Sequence, residues 1–61
     1  MMNFKVGQLI QHKRSKKCFL ILKVIETPKR IYGERLEVIQ MDDNAIYKFY
    51  EAGFNMFEII A

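Results

Sequence analysis

Two side chains in this sequence are of types that catalyse when paired, Cys18 and His12, and each type occurs once. A thiol becomes a nucleophile when a neighbouring imidazole takes its proton. Cys18, however, opens the apolar run CFLILKVIE, where a cysteine is expected to act as a small core hydrophobe. His12 stands just before a basic run and is expected to be a solvated residue at a strand end. A single cysteine rules out an internal disulfide and leaves no second thiol for a structural zinc site. Asp42 and Asp43 are paired carboxylates, but neighbours on a turn diverge, and their short polar side chains suit turn formation better than acid–base work. No phosphate-cradling glycine loop and no metal-ligand spacing occurs. The inventory points away from an enzyme and implies no metal, no cofactor and no small-molecule substrate.

What remains is binding chemistry. Lys13, Arg14, Lys16 and Lys17 fall within five residues, and cations so closely spaced can neutralise phosphates and release their counterions. Lys29 and Arg30 would widen such a patch, with Tyr32 or Phe19 as stacking partners for bases. Successive loops of a meander leave from opposite ends of the sheet, so the two clusters join only if the first loop folds back. A solvated loop, or one compensated by Asp42 and Asp43 at the same end, is the competing reading. The net charge of +3 conceals a lopsided distribution. Residues 1–30 hold eight Lys or Arg against Glu26 alone, and residues 31–61 hold Arg35 and Lys48 against six acids.

The elements that would position these groups follow from 61 residues, enough for one small core, so residues 1–61 are read as one domain. No apolar run approaches the length of a membrane span, and a reduced, cytoplasmic setting is expected. Polar or turn-forming segments fall at 12–17, 27–34 and 42–44. In the second, Pro28 lacks a donor N–H and Gly33 tolerates positive φ. Strands lie between these segments. Lys23 is expected to face solvent, which by strict alternation turns Leu20, Leu22 and Val24 inward. In the next strand Arg35 and Glu37 turn Leu36 and Val38 inward and put Ile39 and Met41 on the other face. Near the start, Val6, Gln8 and Ile10 share a face provided that Gly7 allows a bend that lets Leu9 share the burial. Phe19, Ile21, Ile39 and Met41 are then an exposed apolar strand face, a candidate interface for a protein partner or for self-association.

Residues 44–61 admit two readings. Ile46, Phe49, Tyr50, Gly53, Phe54, Phe57 and Ile60 recur at helical spacing, with Asn44 as an N-cap, which would give an α+β fold with a three-stranded sheet and a C-terminal helix. Gly53 at the centre and the aromatic-rich composition favour a strand, a short turn at 51–53 and a final strand.

Under the second reading the chain is all-β and resembles a small SH3-like barrel of about five antiparallel strands with one helical turn before the last. FKVGQLIQHK is similar to the opening strand of such domains and FYEAGFNMFEII to their closing element. The resemblance implies that Phe57 and Ile59 fill core positions, with Asn55 at the turn exit. Small proteins of this design include KOW-like domains and bacteriophage accessory proteins. The sequence lacks the glycine pair of a KOW signature and any tryptophan of the kind that lines a proline-peptide groove. The expected function is a non-catalytic protein-binding module, with nucleic-acid or ribonucleoprotein binding through residues 13–17 as the alternative.

Overall fold

The computed structural model describes residues 4–26 and 33–61. Five antiparallel strands form one sheet: β1 (Leu9–His12), β2 (Cys18–Glu26), β3 (Glu34–Gln40), β4 (Ile46–Tyr50) and β5 (Phe57–Ile59), in the order β4-β3-β2-β1-β5. A 3-10 helix, Glu51–Met56, separates β4 from β5. The fold is therefore all-β, with a helical turn before the last strand, and the helix over the C-terminal third is not formed. Alternation wins there because Phe49 and Phe57 gain more by facing the sheet interior than a helix broken by Gly53 could offer.

The core consists of Phe4, Ile10, Phe19, Ile21, Leu36, Val38, Phe54 and Phe57, with Val24 and Phe49 packed against it. Aromatic rings close it. β4 and β5 are the two edges of the sheet, yet Phe49 and Phe57 stack with centroids 4.5 Å apart, and Phe19 makes T-shaped contacts with both, at 5.1 and 5.8 Å. Phe4 meets Phe54 edge to face at 5.0 Å, which fixes the 3-10 helix against the chain start. Such pairs add about 0.5–1.5 kcal/mol each beyond the area they bury. Ile59, by contrast, is half exposed at the edge of β5, so of the two core positions expected there only Phe57 is one.

The largest departure from the sequence reading lies in β2. Ile21 pairs with Val38 and Lys23 with Glu37, so β2 contains one residue more than β3 over this stretch, and Leu22 is the extra one. A bulge of this kind resets the alternation. Lys23 faces solvent and Val24 faces the core, as expected, but on the other side of the bulge the inward residues are Phe19 and Ile21, at 6% and 1% exposure. Leu22 is 44% exposed, and Leu20 sits half-buried on the outer face. Phe19 and Ile21 are thus core residues and not interface residues. Strict period 2 placed them wrongly because it was carried across a residue that does not pair.

Turns are set by single residues. The amide of Gln8 donates to the carbonyl of Lys5 (3.2 Å), with Gly7 at φ 91° in the third position of the turn. This is the bend that leaves Val6 exposed and starts β1 with Ile10 buried and Leu9 half-buried. Gly33, at φ 71°, precedes β3, and the Glu51 carboxylate lies over it and accepts the Glu34 amide at 2.9 Å. A Cβ on residue 33 would run into that carboxylate. Gly33→Ala therefore combines an unfavourable φ with loss of the Glu34–Glu51 bond, and urea unfolding should show a loss of about 1–3 kcal/mol. Glu51→Ala in the same background should cost little more, since its bond is already broken.

Candidate functional site

Sheet register places a continuous apolar row on the outer face. Leu9 pairs with Leu20, Leu20 with Ile39 and Ile39 with Ile46, so four side chains from four strands stand side by side. Strands about 4.8 Å apart make this row roughly 15 Å wide. The Ile60 amide bonds the Leu9 carbonyl, which extends the row toward β5. Leu9, Leu20 and Ile39 are half-buried by their neighbours, whereas Ile46 is 58% exposed. Leu22 and Met41 add exposed apolar surface beside it. One step along the strands, Lys23 pairs with Glu37 and Glu37 with Lys48, a charged row of alternating sign parallel to the apolar one. Cross-strand neighbours of opposite charge support the pairing of the strands by a few tenths of a kcal/mol.

Of the four residues expected in a protein interface, Ile39 and Met41 lie on this face. Leu9, Leu20, Leu22 and Ile46 were missed. A signal was present for Leu20 and Leu22: the run FLILKV carries apolar residues at both parities, so one parity must be exposed whichever way Lys23 points.

The basic run is a compact hairpin rather than a long loop. His12 donates its amide to the Lys17 carbonyl and accepts the Lys16 amide at its own carbonyl, both at 2.9 Å, which leaves residues 13–16 as the loop. The His12 ring sits edge-on to Phe57 at 5.1 Å, and its Nδ1 accepts the amides of Arg14 and Ser15, each at 3.2 Å. Ser15 Oγ accepts the Lys17 amide, and Gln11 Nε2 donates to the Lys16 carbonyl at 3.1 Å. Lys13 is tied by its amide to the Met56 carbonyl at 2.8 Å. His12 is therefore a structural cap for the hairpin and not a free solvated residue.

Lys13, Arg14, Lys16 and Lys17 are all exposed. Among the described residues no ion pair engages them, so Asp42 and Asp43 do not compensate them within salt-bridge distance. Asp43 instead accepts the Ala45 amide at 3.0 Å, the turn-forming role expected of it. Phe19 is buried and offers no face for stacking. Lys29, Arg30 and Tyr32 lie outside the described residues.

Cys18 is half-buried on the outer face, between Gln11 and the Met41 amide that its carbonyl accepts. It is not a core residue. His12 and Cys18 project from opposite faces of neighbouring strands, so the geometry forms no thiol–imidazole dyad. No helix among the described residues is long and apolar enough to cross a membrane.

Comparison with family models, with curated proteins and with solved structures gives no match. The functional reading rests on this geometry.

Proposed function

We propose that this chain is a non-catalytic binding module that docks on a larger protein through its outer sheet face. The observation that carries the reading is the register-aligned row Leu9, Leu20, Ile39 and Ile46, flanked by exposed Leu22 and Met41. A chain this small gains nothing in folding from large apolar side chains left in water, and contiguous apolar surface on a soluble domain marks an interaction site. Lys23, Glu37 and Lys48 supply the polar rim that a protein interface carries around its apolar centre.

The strand order, the 3-10 helix before β5 and the aromatic closure of β4 on β5 support an SH3-like barrel as the scaffold. A scaffold of that kind, with one unpaired cysteine, suits a cytoplasmic accessory protein of regulatory or bacteriophage type.

Site-specific photocross-linking tests the reading. A benzophenone side chain at position 46 should capture a discrete, saturable protein species from the native host extract. The same group at position 55, on the 3-10 helix, should not. Ile39→Lys should abolish capture at position 46. Equal capture from both positions, or capture that survives Ile39→Lys in a folded protein, would refute the outer face as the docking surface. A homodimer as the only product would replace the larger protein by a second copy.

A further inference from the structure

The two hairpins at one end of the sheet share one backbone design and differ in what they display. In the β3–β4 hairpin the Asn44 amide donates to the Gln40 carbonyl (2.9 Å) and the Gln40 amide to the Ala45 carbonyl (2.8 Å). This is the closure found between His12, Lys16 and Lys17. The fourth loop residue is left-handed in both, Lys16 at φ 66° and Asn44 at φ 59°. The third caps the amide two residues on in both, through Ser15 Oγ and Asp43 Oδ1. The β3–β4 loop therefore shows what the turn itself requires: one short polar cap, and at the left-handed position a residue such as Asn that tolerates it.

The β1–β2 hairpin keeps the cap, Ser15, and fills the remaining positions with Lys13, Arg14, Lys16 and Lys17. None of these is required by the turn. Lysine is a poor occupant of the left-handed position, and four like charges this close repel one another. Residues that work against local folding rules point to a function outside folding. His12 meanwhile holds the tip in place by capping two of its amides from a ring packed on Phe57.

We propose that the β1–β2 hairpin is a second binding site, independent of the outer-face docking surface, that takes the phosphate backbone of a nucleic acid. An acidic protein is the weaker fit. The exposed tip, residues 13–17, carries no large apolar side chain, and a protein interface needs a buried anchor, whereas phosphate binding is driven by counterion release alone. A two-stranded ribbon also has the width of the duplex major groove.

The test titrates the whole chain against fluorescent 20-nucleotide probes, one duplex and one single-stranded, between 50 and 200 mM salt. Four phosphate contacts give a log–log slope of about −3.6 on the duplex, or roughly a 150-fold loss of affinity over that range, and a slope of about −2.8 on the single strand. Replacing Lys13, Arg14, Lys16 and Lys17 by Ser should abolish binding to both probes. Lys16→Asn removes one contact while relieving the left-handed lysine, so the duplex slope should fall by about 0.9 as thermal stability holds or rises. Ile46→Lys, on the outer face, should leave hairpin-dependent binding in place. Binding to either probe with this dependence upholds the proposal, and the probe preferred identifies the form of the ligand. Absence of binding at 50 mM salt, undiminished binding by the four-serine variant, or equally tight binding to poly-glutamate would overturn it.

Discussion

Ile21→Lys should unfold the domain at 25 °C, while Leu22→Lys one residue along should leave it folded within about 1 kcal/mol of the parent. Ile21 is 1% exposed and lies opposite Val38, which is itself fully buried. A lysine there either buries an ammonium without a partner, at several kcal/mol, or forces the strand out of register. A domain of 61 residues holds only about 3–9 kcal/mol of total stability, so a single such change exhausts it. Leu22 is the unpaired residue of the bulge and already 44% exposed, so its replacement loses little burial. Near-ultraviolet circular dichroism and urea unfolding of the two variants read the difference. Equal destabilisation by both would mean that β2 runs without a bulge.

Phe57→Ala should cost about 3–5 kcal/mol, the range for removal of a buried phenylalanine. The effect is large because Phe57 serves several elements. It stacks on Phe49 across the two sheet edges, makes a T-shaped contact with Phe19, and supports the His12 ring that caps the basic hairpin. β4 and β5 sit at opposite ends of the strand order, so this contact substitutes for a backbone ladder between them. Phe57→Leu should recover part of the loss by refilling the volume without the stacking. Amide exchange adds a specific readout: in Phe57→Leu the Arg14 and Ser15 amides should exchange faster than in the parent, because their acceptor is the His12 ring. Unchanged exchange at those two amides would separate the hairpin from the core.

Much of the architecture was legible in residue types. Lys23 set the direction of Val24, and Arg35 and Glu37 set that of Leu36 and Val38, because charged side chains take the face away from the core, where Lys23 is exposed and Arg35 and Glu37 are half-buried. Gly7 and Gly33 take the positive φ that glycine adopts without strain, and the Asp-Asp-Asn run forms its turn. The bulge at Leu22 was not legible. No glycine marks it, and its cause is a match between β2 and β3 that no single strand encodes. That one residue moved Phe19 and Ile21 into the core and put Leu20 and Leu22 outside. In the basic hairpin the charges were plain, but the compactness was not. It depends on His12 Nδ1 reaching forward to two amides, a contact for which the local sequence gives no recognised signature. The comparison of Lys16 with Asn44, which gives the hairpin its functional meaning, exists only once both loops have been closed by the same backbone bonds.

The outer-face reading stands on which apolar side chains of β2, β3 and β4 face water, and methyl NMR with a soluble gadolinium chelate measures that directly. With Ile, Leu and Val methyls labelled in a dilute sample, the methyls of Leu22 and Ile46 should relax fast, those of Leu20 and Ile39 to an intermediate degree, and those of Ile10, Ile21, Leu36 and Val38 should be protected. Strong relaxation at Ile21 with protection at Leu22 would restore uninterrupted alternation in β2, and with it remove the apolar row on which the docking surface is built.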